Sequence, residues 1–266
     1  MKSSLMLILT PSCINAFVHA RPSNLTPTTH LHGWLDNFLP APIEADDSRR
    51  RLEFPEQYPA TYEMNDVAIS SDKSKEAKLI RPLLKQTMLE ERPMKIVFDA
   101  ALHGWNARAF HQRVDGKGAA VVISTYKEGS NGKIKIVGGY NPKGWSSNGG
   151  ARPSVAAFLF YEKDTMSTSS FQKLKKVGGG GLACARDDPD YGISFGPDAL
   201  VIPLQEGRER LAASKLGPYF ERGPENLSSI FEGGAVRLIS LKVFTGVYGS
   251  NEDIPYSGAV MDMTSG

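Results

Sequence analysis

The chain has 266 residues, 31 Lys and Arg against 29 Asp and Glu, and a formal charge of +2. Two of the bases, Lys2 and Arg21, precede Asp36 and no acid does, so the remainder carries equal numbers of both signs and lacks the basic excess a nucleic-acid surface needs. Its two cysteines, Cys13 and Cys184, exclude a disulfide framework and a cysteine zinc site once the N-terminus is processed.

In chain order, residues 1–17 read as a targeting segment. Lys2 supplies the positive start, LMLIL (5–9) the apolar core, and Asn15-Ala16 a small-residue cleavage site. The apolar core is far too short to span a bilayer. Residues 17–29 are free of acids and rich in Ser, Thr and Pro, a transit-peptide composition. Signal peptide, Phe17, then acid-free tract resembles the bipartite leaders of algae with secondary plastids, which implies a plastid location for the mature chain. Secretion is the alternative. The leader is assigned to residues 1–35. Residues 36–72, rich in Pro and charge, read as an extended arm or linker, residues 73–250 as the domain, and residues 251–266 as a polar surface tail.

Within the domain, residues 72–91 predict a helix capped by Asp72 or Ser74, broken at Pro82, which then opens a second helix. KIVF (95–98) predicts a strand. The run 103–114, HGWNARAFHQRV, predicts one helix with Trp105, Ala109, Phe110 and Val114 on one face. His111 has no zincin-like partner, because position 107 is Ala, and reads as a structural or surface histidine. From Ala119 the period changes to that of strands. AAVVISTY, KIKIVGGY, VAAFLFY and the run 171–177 are β segments joined by Gly, Asn, Ser and Pro loops, with GSNG (129–132) as a hairpin turn. Residues 193–195, 199–204 and 236–248 continue them, and residues 208–214 suggest a short helix inside an insertion. Strands gathered after helices indicate an α+β fold, a two-sheet antiparallel β-sandwich with two to three helices packed at its edge.

The stretch around VGGGGLACARDDPDYGISF (177–195) anchors this pattern. Gly178, Gly179, Gly180 and Gly181 are costly in backbone entropy and point to close backbone packing. No Lys-Ser or Lys-Thr follows them, so they do not make a P-loop, and no dinucleotide fingerprint is present. Asp187, Asp188 and Asp190 form an acidic turn, read either as solvated or as general acid–base machinery of a hydrolase or other enzyme. Cys184 is read as a buried small hydrophobe, with a redox role as the alternative.

The ordered motifs RPLLKQTMLEERP, KIVFDAALHGWNARAFHQRVDGKG, AAVVIS, IVGGYNPKGW, AAFLFYEK, VGGGGLACARDD, GISFGPDALVIPL and LKVFTGVY resemble the TLDc domain of the oxidation-resistance proteins. The resemblance runs from Arg81 to Tyr248. A longer loop containing GGARPS, an insertion at 207–234, and Phe244 where a Trp is common are its departures. It implies a two-sheet sandwich and protection against oxidants. In some relatives it also implies binding to the vacuolar-type proton ATPase, a partner not expected inside a plastid. It brings no catalytic residue and no cofactor. The expectation is therefore a non-catalytic module that binds a protein complex. Its candidate contact surface is the loop 140–152 with the turn 187–191. Lys143, Trp145 and Arg152 are the side-chain types enriched at binding hot spots, joined by Asp187, Asp188 and Asp190. Trp145 has a second reading, as a cap on the sandwich core.

Overall fold

Strand β2 shows why this sheet has two covered faces. In the run from Ala120 to Ile123 every residue is buried, where a half-solvated strand would alternate. The computed structural model describes residues 50–51, 53–64, 72–129, 132–152, 154–163, 171–177 and 185–257. The leader, Gly178, Gly179, Gly180, Gly181 and Cys184 lie outside the described residues.

The strands are β1 (Met94–Asp99), β2 (Ala120–Glu128), β3 (Lys133–Asn141), β4 (Ala151–Arg152), β5 (Phe158–Glu162), β6 (Phe171–Lys175), β7 (Ala185–Arg186), β8 (Ile193–Phe195), β9 (Leu200–Ile202), β10 (Leu211–Ala213) and β11 (Ala235–Gly246). One antiparallel ladder runs β6-β5-β3-β2-β11-β10-β9-β8, with β1 also on β11, and β4 pairs with β7 alone. The ladder folds into two layers through β11. Its first three residues pair with β10, residues from Leu238 onward pair with β2, and residues from Lys242 onward pair with β1. A register shift between Leu238 and Ser240 marks the change of partner.

Side chains sort by the two-residue period of the strands. Val122, Val137, Leu159, Leu174 and Val243 face inward and pack with Phe195, Leu200 and Ile202 of the second layer. Their neighbours Val121, Ile123, Tyr140, Phe158, Phe160 and Phe244 face the other way, onto Ile80, Leu83, Leu84 and Leu89. The Gly138-Gly139 pair in β3 is explained by close approach on each face. A Cβ on Gly138 would lie 2.0 Å from the Val122 carbonyl oxygen, and one on Gly139 would lie 2.7 Å from Cζ of Phe195. The architecture is the α+β antiparallel sandwich that the strand pattern predicts.

The helices differ from expectation in three places. Helix α1 (Lys75–Ile80) is capped by Ser74, whose hydroxyl accepts from the Ala77 amide at 2.9 Å. Pro82 does not open a second helix. It opens a single 3-10 turn, Arg81–Leu84, after which Gln86 takes φ 57°. The cause is Arg81, only 2% exposed, which gives all five N–H donors to fixed partners. Nε and Nη2 each donate to Asp72 at 2.7 Å. Nη1 donates to the Leu89 and Glu90 carbonyls, and Nη2 also to that of Arg92 at 3.1 Å. Those carbonyls must turn inward, which a helix would forbid. Second, the expected helix 103–114 is two: α2 (Ala100–His103) and α3 (Ala107–Val114). Gly104 (φ 86°) separates them, and Asn106 caps the second by accepting from Ala109 N at 2.8 Å. Third, the helix expected at 208–214 is β10, because pairing with β11 and β9 overrides local propensity.

Both flanks lie on the domain. In the arm, Glu56 is buried and accepts from the Tyr256 hydroxyl at 2.9 Å. The Thr61 and Glu63 carbonyls accept from Lys173 Nζ at 3.0 and 3.3 Å. Burial, and then the neighbouring Lys175 charge, pulls the Lys173 amine down to about 7. Among the described residues no helix is long and apolar enough to cross a membrane.

Candidate functional site

After β3 the chain makes a tight turn held by Asn141. Its Oδ1 accepts from Lys143 N at 3.2 Å and its Nδ2 donates to the Gly144 carbonyl at 2.9 Å. Gly144 (φ 61°) presses against Gly118, leaving 2.1 Å between the Gly118 oxygen and any Cβ placed there. This drives Trp145 into the inner core, fully buried, with its ring edge-on to Phe110 at 5.2 Å and to Phe195 at 6.2 Å. Trp145 therefore caps the core, and the contact role expected of it is corrected. Lys143 is also buried, at 3% exposure, with Nζ 5.2 Å from the Tyr256 ring centroid.

The acidic turn divides. Asp187, expected on the surface with its neighbours, is fully buried. Its Oδ1 accepts from the Ser146 and Ser147 amides, both at 2.9 Å. Its Oδ2 accepts from the Ser146 hydroxyl at 3.0 Å and the Asn148 amide at 3.2 Å. Its backbone exchanges hydrogen bonds with Gly149 and Gly150, at 2.8 and 2.9 Å, and the short β4–β7 ladder continues the pairing. One carboxylate thus fastens three successive amides of the opposite loop. With all four acceptor positions filled it has no lone pair left for a general base.

Asp188 is half-buried. The Asp190 amide, 3.0 Å from its Oδ1, and then the Arg186 guanidinium, 2.8 Å from its Oδ2, hold its carboxyl below the usual range. Asp190 is exposed. Arg186, also exposed, lies over the Tyr191 ring at 4.5 Å. Arg152 is half-buried. Its Nη1 donates to the Ser146 hydroxyl and its Nη2 to the Tyr256 carbonyl, both at 2.6 Å. Burial lowers its pKa against the opposing fields of Asp187 and Asp115. The structure therefore brings the loop and the acidic turn together as one ridge. It presents Asn148, Gly149, Gly150, Ala151, Arg186, Pro189 and Asp190 outward.

Sequence reasoning missed the group beneath this ridge. His111, buried at 5% exposure, has Nδ1 2.8 Å from Asp115 Oδ1 and 3.0 Å from Ser147 Oγ. Its Nε2 is 2.7 Å from the Tyr191 carbonyl. The Ser147 hydroxyl donates to Asp115 Oδ2. The available signal was the i, i+4 spacing of His111 and Asp115 toward the end of α3, on the opposite side of His111 from Ala107. His111, Asp115 and Asp187 each offer an atom within 4.8 Å of the others, the spacing of a metal site. The donors of the 146–148 loop already fill Asp187, and His111 and Asp115 are bonded to each other and to Ser147, so the set offers a metal at most two ligands, short of the three or four protein ligands of zinc sites.

The family model of the TLDc domain matches residues 72–217, more than half of the chain. No curated protein matches it.

Proposed function

Because the chain belongs to the TLDc domain family, a family of oxidative-stress-related domains, we propose that it is a non-catalytic module that supports protection against oxidants by binding a protein complex. The observation that carries this reading is the buried Asp187 carboxylate on three consecutive amides, Ser146, Ser147 and Asn148. It pre-organises an exposed ridge on a rigid sandwich, and a surface already fixed in its bound shape loses little entropy on binding. The ridge mixes an Arg186 cation, an Asp190 anion and bare glycine backbone, so it offers a partner polar and main-chain contacts. The partner is a protein complex. A vacuolar-type proton ATPase fills that place for some relatives.

The test reverses two exposed charges, Arg186→Glu with Asp190→Lys. Surface charges of this kind contribute about 0–1 kcal/mol to stability, so the melting temperature should barely move. In cells lacking the protein and challenged with peroxide, the double variant is expected to lose both protection and the complex that the natural chain retains. A folded double variant that still protects would overturn the ridge as the contact.

The setting we propose is the plastid, on the strength of the leader's composition. A fluorescent protein carrying residues 1–35 should enter plastids, and Phe17→Ala should stop it outside them. Export of the fusion from the cell would replace this with secretion.

A further inference from the structure

We propose that His111 is a buried imidazolium that clamps the ridge to α3, and that loss of one proton from its ring loosens the ridge. This rests on the ridge reading and supplies its regulation. The argument is one of donors and acceptors. Tyr191 offers a carbonyl oxygen, which only accepts, so Nε2 carries hydrogen. The Ser147 hydroxyl has one hydrogen and donates it to Asp115 Oδ2, so toward Nδ1 it presents a lone pair. Asp115 Oδ1 also faces Nδ1, and with Oδ2 already accepting, the carboxylate form fits. Three acceptors therefore surround two ring nitrogens, and only the doubly protonated ring satisfies them all.

The acids around it agree. From α3 it faces Asp115, from the segment 185–191 it faces Asp187 and Asp188, and from the loop 146–152 it faces Ser147; the cation Arg152, which lies in the fields of Asp115 and Asp187, is the one opposing charge of that loop. The Phe110 ring packs against it in a T-shaped pair with centroids 4.8 Å apart. Burial alone would lower the pKa of His111. The hydrogen bonds to Asp115 and Tyr191, with the fields of Asp115 and Asp187, outweigh it and leave the pKa raised. The sign follows from that direction. The unfolded value is about 6.5, so the clamp is at full strength below that pH and is lost as pH rises through the folded value.

The experiment is a pH titration of the full chain by NMR, with no partner present. Ring nitrogen shifts of His111 should report two N–H groups at pH 6 and a midpoint above 6.5. Across the same midpoint, protection of the Ser147 and Asn148 amides, corrected for intrinsic exchange, should fall at least about tenfold, the scale of one charge-assisted hydrogen bond. In Asp115→Asn the midpoint should move down. His111→Gln should remove the pH dependence, and if that variant does not fold, the ring titration of the natural chain still decides. A single neutral tautomer at pH 6, protection flat with pH, or Zn2+ binding at Nδ1 at pH 7 would each overturn the clamp. The readout needs no complex, so failure of the ridge as a contact leaves it standing, and the reverse.

Discussion

Arg81→Ala is expected to lower the unfolding free energy by about 3–5 kcal/mol, the cost of leaving one partner of a buried pair alone. Asp72 would stay behind at 2% exposure with no cation, and the carbonyls of Leu89, Glu90 and Arg92 would lose their common donor. The segment 85–92 has no ladder of its own; local turns at Thr87 shape it, and this guanidinium joins its carbonyls to the domain. Arg81→Lys should also fail in large part, because an ammonium keeps the charge but has no planar fork to reach the carboxylate and three carbonyls together. Guanidinium unfolding of the two variants measures both costs. A loss under about 1 kcal/mol for Arg81→Ala would show that the segment is held instead by the outer core in which Leu89 is buried.

Trp145→Ala should cost a similar amount, about 3–5 kcal/mol, by opening a cavity between Phe110 and Phe195. Trp145→Phe should cost much less. It keeps an aromatic face against both neighbours, and the indole Nε1 it deletes has no hydrogen-bond acceptor among the described residues. Thermal unfolding followed by near-ultraviolet circular dichroism separates the two variants. The contrast bears on function, because a partner lost with Trp145→Ala reports a broken core and says nothing about contact. Full stability of Trp145→Ala together with loss of the partner would restore the tryptophan to the binding surface.

Strand positions were legible because their signal is local. The run Ile193–Phe195 falls where the alternation and turn residues place it, and β2 and β3 begin and end within two residues of expectation. Features fixed by a distant partner were not legible. Pro82 is a sound helix opener, but nothing near it in sequence announces that Arg81 will draw in the carbonyls that follow. Asp187, Asp188 and Asp190 are the same residue type in one turn. Only Asp187 meets the Ser146–Asn148 amides, about forty residues back in the chain, and only it is buried. Lys143 and Trp145 carry the composition of a hot spot, but the Asn141 turn and the approach of Gly144 to Gly118 point them inward. Of the side chains expected on that surface, Lys143, Trp145 and Asp187 are buried and Asp190 is exposed.

The long strand β11 sets the order in which this domain can be completed on the ribosome. Among the described residues it is the only strand that pairs with three others, and it is made after all of them. Until β11 has cleared the exit tunnel, β10 waits for residues 235–237, β2 for residues from 238 and β1 for residues 242–246, β1 for nearly 150 residues of synthesis. Pairings so far apart in sequence close slowly, and unpaired edges invite other chains. A stop codon just after residue 217, where the family match ends, would release a chain whose two layers share core side chains but lack the strand that pairs with both.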